Sequence, residues 1–270
     1  MSLLRSETGK IHICGHRGHS VGAPENTLAA FRMAKSLGGT FCETDLALTQ
    51  DGELVLIHDQ TVDRTTDGKG LVAGMTLAEL ASLDAGGWFG AEFAGEPIPT
   101  LRDALALARD IGLMLQVELK IYGRDDALLP PLAALLDEMD AHELVQFSSF
   151  DFRQLREAKR QIPKVRTVGI THSRLIDPVA TARATNLDAI NIEIQHFPSG
   201  EALELHEAGI AAFLYVPRPE KIARDAAYGL DIEGALLGWV EDGRIDQLCG
   251  DDVGWLTRFV SGEPWSMQAE

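Results

Sequence analysis

Three cysteines in 270 residues are too few for a disulfide framework, and their odd number excludes complete pairing. Buried free thiols in a reducing compartment, the cytoplasm, are the simplest reading. Basic residues are scarce as well: 24 Lys and Arg stand against 41 Asp and Glu, a net charge of −17 with a pI near 4.8. A nucleic-acid duplex or an anionic leaflet would meet a repelling field. No apolar run approaches about eighteen residues, so neither a transmembrane helix nor a stable membrane anchor is expected. The opening MSLLRSETGKIHICGHRG lacks the apolar segment of a signal peptide. No Gly-x-Gly-x-x-Gly follows a strand and no Walker lysine motif occurs, which disfavours nucleotide-dependent transfer. His-Glu-x-x-His and Cys-x-x-Cys are also missing, which disfavours zinc. Nothing in the sequence marks an oligomeric state. What is present is a composition 45% apolar, enough in a chain of this length to bury one large core.

Short apolar runs alternate with helical patterns along the chain. Strands are predicted at 11–16, 40–48, 113–120, 144–149, 165–170, 187–194, 210–216 and 234–239. Helices are predicted at 25–37, 100–111, 126–140, 151–161, 177–185, 199–208, 218–229 and 251–261, with Thr100, Asp151 and Ser199 as N-caps. Eight such units favour a closed (β/α)8 TIM barrel over an open doubly wound sheet, as one catalytic domain spanning 1–270. One segment breaks the alternation. Asp51-Gly52 signals a hairpin after the second strand, and the returning LVLIHD leaves His58 and Asp59 at its end. Residues 61–99 then form a glycine-rich excursion, read as an insertion after the second strand and not as a ninth barrel unit, with one helix at 76–83.

The chemistry collects at the ends of these strands. Glu43 and Asp45 are two apart on one strand and so share a face; Glu118 and Lys120 repeat the spacing on the next. Each pair sits at the C-terminal end of its run, the end that carries barrel active sites. Three carboxylates beside a low-dielectric core need partners: either a hard divalent cation, Mg2+ or Ca2+, or a buried salt-bridge cluster. His16 and His58 end two strands and suit proton transfer near neutral pH, and Arg17 offers a planar fork for phosphate oxygens. If His16 and Glu43 face one site, alternation sends Cys14 inward and Cys42 outward, so they do not bridge.

The strings HRGHSVGAPENTLAAF, ETDLALTQDGELVLIHDQTVDRTTDGKG, LDAGGWFGAEFAGEPIPTL, VELK and FSSFD span about 11–152 almost continuously. Here the sequence closely resembles the glycerophosphodiester phosphodiesterase family. The resemblance implies a (β/α)8 barrel with an insertion after its second strand. It also implies a hydrolase releasing glycerol 3-phosphate and an alcohol from small-molecule glycerophosphodiesters, through a cyclic phosphate formed by the neighbouring glycerol hydroxyl. Carried over by motif, Glu43, Asp45 and Glu118 match the divalent-metal ligands, and His16 and His58 the acid/base pair. Arg17 and Lys120 match phosphate contacts, and Glu25 a position near the metal. The second half departs from the family: Tyr215-Val216-Pro217-Arg218 replaces its W-T-V-N string. Leu237-Gly238-Trp239 stands where an aspartate often ends the eighth strand. Phe150, Phe197, Tyr215 and Trp239 are candidates for an apolar wall around the glycerol or the leaving alcohol. Two other functions stand beside the leading one: a phospholipase-D- or C-type enzyme on lysolipids, using residues 86–98 as an apolar rim, and a catalytically silent barrel that binds a phosphate ester.

Overall fold

A computed structural model describes residues 2–229 and 231–263. Among these residues nine strands form one sheet: β1 (His12–Gly15), β2 (Phe41–Leu48), β3 (Leu54–Leu56), β4 (Met114–Leu119), β5 (Val145–Ser149), β6 (Arg166–Ile170), β7 (Ala189–Ile192), β8 (Ala211–Tyr215) and β9 (Gln247–Gly250). Every strand but β3 pairs in parallel, and β1 pairs with both β9 and β2, so eight strands close into a barrel. Helices follow the strands around the outside. The architecture is the (β/α)8 barrel the alternation predicts. Thr100 and Asp151 cap their helices with side-chain oxygens as expected, whereas the helix Glu201–Glu207 takes Gly200, not Ser199, at its N-cap.

Alternation divides each strand between two cores. Cys42 and Leu46 face outward into the large apolar layer beneath the helices. Cys14, Phe41, Val168, Phe213 and Cys249 form a smaller cluster inside the barrel. Cys14 and Cys42 thus point to opposite sides of the wall, and all three cysteines are free and buried. Above this cluster, Gln146 and Gln247 each donate to the Gln116 side-chain oxygen, at 2.8 and 2.7 Å, a polar tier in the barrel interior.

β3 runs antiparallel to β2 from the turn at Asp51-Gly52, where Gly52 has φ +83°. Residues 61–99 contain two short 3-10 turns and the helix Leu77–Leu80, capped by Thr76 and Glu79, and no strand of the sheet. Val62, Val72, Leu80 and Ile98 pack with Val55 and Ile57 into a small core of their own.

One predicted element is wrong. GALLGW at 234–239 is not the eighth strand but part of the helix Ile232–Glu241, and the barrel's last strand is β9. The Asp231 carboxylate caps this helix, and its buried residues, Leu236, Trp239 and Val240, recur at helical spacing. Trp239 therefore does not stand at a strand end; its ring packs on Phe197, 4.7 Å between centroids, within the outer core. The aspartate that the string 237–239 lacked is present after all: Asp251 directly follows β9. Among the described residues no helix is long and apolar enough to cross a membrane.

Candidate active site

β2 and β4 are parallel neighbours in a register that sets Asp45 beside Glu118. Glu43, Asp45 and Glu118 project into the barrel mouth, all buried, with ligand oxygens within 4.8 Å of one another. Burial, then the charges of Asp45 and Glu118, raises the Glu43 carboxyl well above its ordinary range. Burial pushes Glu118 up to about 7 against the pull of Lys120. Asp45 goes the other way: burial opposes its ionisation, but Lys120 and Arg17 outweigh it and hold it low. Lys120 Nζ donates to Asp45 Oδ1 at 2.7 Å, and Arg17 Nε lies 3.4 Å from Oδ2. Glu43 Oε1 and Glu118 Oε1 are buried without any hydrogen-bond partner.

The loop after β1 wraps this cluster. Gly18, at φ +87°, lies so close to Ala30 that a Cβ would come within 2.6 Å. The tight turn holds Arg17 at φ +57°, a left-handed conformation that an arginine adopts only under constraint. Its amide then donates to Glu43 Oε2 at 3.0 Å, and its Nη1 to Glu25 Oε1 at 2.9 Å. Glu25 is set back from the three carboxylates. It bridges Arg17 to Arg64, which also binds Asp59 and so ties the segment after β3 to the barrel. Residues 18–22 spell Gly-x-Ser-x-Gly, yet Ser20 lies in this loop well before the helix at Leu28, not at a strand-to-helix elbow.

Both histidines are held by carboxylates through Nδ1. His16 pairs with Asp251 Oδ1 at 2.7 Å, and His58 with Asp59 Oδ1 at 2.6 Å. That bonding keeps a hydrogen on Nδ1 and frees each Nε2 for proton exchange. His16 Nε2 lies 3.9 Å from Glu43 Oε2. Burial opposes the Asp251 charge, but His16 and Arg218 overcome it and hold the carboxyl far below its usual value. Asp59 sits at about 2, chiefly through its bond to Arg64, against burial and with help from His58. A cavity of about 350 Å3 is lined by His16, Arg17, Glu43, His58, Glu118 and Lys120. Its wall across the barrel mouth carries Phe150, His172, Asn191, Glu193 and Tyr215.

Sequence reading missed Asn26, Arg64, His172, Glu193 and Asp251. Asn26, at φ +58°, donates to Asp45 Oδ2 at 2.8 Å and accepts from the Thr44 hydroxyl and the Asp45 amide. Only Asn26, of the common residues, combines ease in that backbone with both a donor and an acceptor. Asn26→Ala should strand these buried groups and strain the turn, costing about 3 kcal/mol in urea unfolding. Asn26→Gly should recover the backbone part of that loss and leave the rest.

The barrel and the groups gathered at its mouth are matched by proteins of known chemistry, and they make this an enzyme of the phosphoric diester hydrolase class. The chain belongs to the glycerophosphoryl diester phosphodiesterase family, whose model matches residues 16–254. A glycerophosphodiester phosphodiesterase of Caldanaerobacter subterraneus is 41% identical over 174 residues, 63% of this chain and 70% of that protein. Human glycerophosphodiester phosphodiesterase 1 is 43% identical over 113 residues, 41% of this chain and about a third, 34%, of its own length. Among solved structures, an Oleispira antarctica phosphodiesterase in complex with the product sn-glycerol-3-phosphate superposes with a TM-score of 0.82 at 27% identity. That match covers 97% of this chain and all of the other.

Proposed function

We propose that the protein hydrolyses glycerophosphodiesters to glycerol 3-phosphate and an alcohol, with a divalent cation held by Glu43, Asp45 and Glu118. The observation that carries this reading is the buried carboxylate cluster itself. It has two oxygens without partners, Glu43 Oε1 and Glu118 Oε1, and lies between two carboxylate-held histidines. An oxygen-only donor set suits Mg2+ or Ca2+. When bound, such a cation neutralises phosphate oxygens and offsets the charge gained in the transition state.

The chain's own groups supply the rest. Arg17 and Lys120, at the cavity wall, turn their positive charge on the phosphoryl oxygens as well as on Asp45. The glycerol hydroxyl next to the phosphate gives its proton to one histidine Nε2, and its oxygen forms a bond to phosphorus. The bond from phosphorus to the alcohol oxygen breaks, and the second histidine protonates that oxygen. Water then opens the cyclic ester with the proton transfers reversed. Asp251 and Asp59 keep both rings oriented and stabilise whichever imidazolium forms. We assign the whole chain, 1–270, to one catalytic domain in which 61–99 is an insertion, acting on small molecules in the cytoplasm. Three free, buried thiols suit that compartment.

The deciding assay measures glycerol 3-phosphate release from glycerophosphodiesters with different alcohols, before and after chelation. Release that depends on added Mg2+ or Ca2+ is expected. Binding without turnover would favour the silent barrel, and release restored by zinc alone would point to other ligands.

A further inference from the structure

A second hollow opens from the catalytic cavity. It measures about 750 Å3, roughly twice the cavity's 350 Å3, and the two share His58, Lys120 and Tyr122 on their walls. It runs outward over the ends of β2 and β4, between the start of the insertion and the loop after β4. Its walls are mostly apolar, with Leu48, Leu71, Val72, Ala73, Ile121 and the ring of Tyr122, and carry Thr49, Gln50, Gln60 and Arg124 among them. Leu71 and Tyr122 are 59% and 50% exposed, large apolar side chains that the fold leaves in solvent beside the site. Across the barrel mouth the catalytic cavity ends differently, on Asn191, Glu193 and His172, with the Glu193 carboxylate bonded to His172 Nδ1.

A phosphodiester has two substituents, and this site has two arms meeting at the carboxylate cluster. Asn191, Glu193 and His172 offer hydrogen bonds to the hydroxyls of glycerol, whereas the groove adds to its polar groups a longer run of apolar wall, ending on the exposed Leu71 and Tyr122. We infer that the groove receives the alcohol substituent and selects an extended hydrocarbon chain, making long-chain alkyl esters of glycerol phosphate the preferred substrate class. The inference rests on the phosphodiesterase reading and adds the orientation of the diester within it. A groove of this size matches ligands much larger than a short polar alcohol. Burying methylenes along its walls strengthens binding in proportion to the area covered. The same orientation puts His58, at the junction of the two hollows, beside the leaving oxygen, and leaves His16 to the glycerol hydroxyl.

The test uses the whole chain and a series of sn-glycero-3-phospho-n-alkanols from ethyl to octyl, each held below its micelle concentration, with glycerophosphoglycerol as the short polar reference. In the wild type kcat/KM should rise roughly two- to fourfold for each methylene that enters the groove. Two variants at exposed positions keep the fold out of question: Leu71→Gln removes apolar wall, and Ala73→Phe fills the channel. Both should flatten the rise by tenfold or more at octyl, read as the ratio of octyl to ethyl kcat/KM within each variant. A wild-type series that is flat or falls with length overturns the inference, as does a rise that survives both variants. Failure of the phosphodiesterase reading itself looks different: no glycerol 3-phosphate would be released from any member, the reference included.

Discussion

His16→Ala and His58→Ala should each lower kcat by about 10²-fold or more while the circular dichroism spectrum stays that of the wild type. Loss of a positioned acid or base typically costs about 10²–10⁴-fold. Both rings are partly exposed at the cavity and bonded through Nδ1 to Asp251 and Asp59, so neither fills the core. If the histidines only brace the loops, the variants will instead melt early and keep their specific activity. The two should part company on a p-nitrophenyl ester, whose leaving group needs no proton. There His58→Ala regains most of its loss and His16→Ala does not. Lys120→Ala offers a contrast, because the lysine exchanges no proton in this scheme. It should weaken turnover without moving the pH optimum. A profile shifted by Lys120→Ala and unmoved by either histidine change would reverse the assignment.

Removal of divalent cations should abolish turnover and leave a protein that weakens as pH rises. The carboxyl of Glu118 stands at about 7 in the folded chain against an ordinary 4.5, because burial disfavours its charge. A group raised by folding contributes its full stability below its unfolded value and loses that contribution as pH climbs through its folded one. The metal-free protein should therefore lose stability between about pH 4.5 and 7, with Glu43 acting in the same direction. Added Mg2+ or Ca2+ should restore it at neutral pH, by about 2.7 kcal/mol at one hundred times Kd. Glu43→Gln removes one of three crowded charges. It should raise the metal-free Tm at pH 8 by on the order of 2–4 °C while cancelling both the cation's stabilisation and catalysis. Full activity after exhaustive chelation, with metal content measured, would sink the assignment.

The carboxylate cluster was legible because strand alternation is rigid: residues two apart on β2 and on β4 must share a face, and register brings the two strands level. The hairpin at Asp51-Gly52 was legible for a similar local reason. What escaped was set by distant packing. β9 is four residues long, and half of it points inward to the polar tier and the floor of the site. It lacks the apolar run that marks the other strands, and the richer GALLGW nearby drew the assignment although its buried positions recur every three or four residues. Losing β9 also hid Asp251 and made a departure from the family out of a match. The only local clue was Asp252, a capping residue at the head of a helical pattern. Asn26 and Arg64 lie on loops, where no periodicity tells which way a side chain points.

The bond between His16 and Asp251 joins residues 235 positions apart, the first barrel strand to the turn after the last. A chain still emerging from the ribosome carries all three carboxylates and both histidines once β4 is made, yet His16 has nothing to aim it until β9 slots in beside β1. With His16 in the proposed acid/base role, hydrolytic competence is the last event of assembly, and turnover reports closure of the ring more directly than secondary structure does.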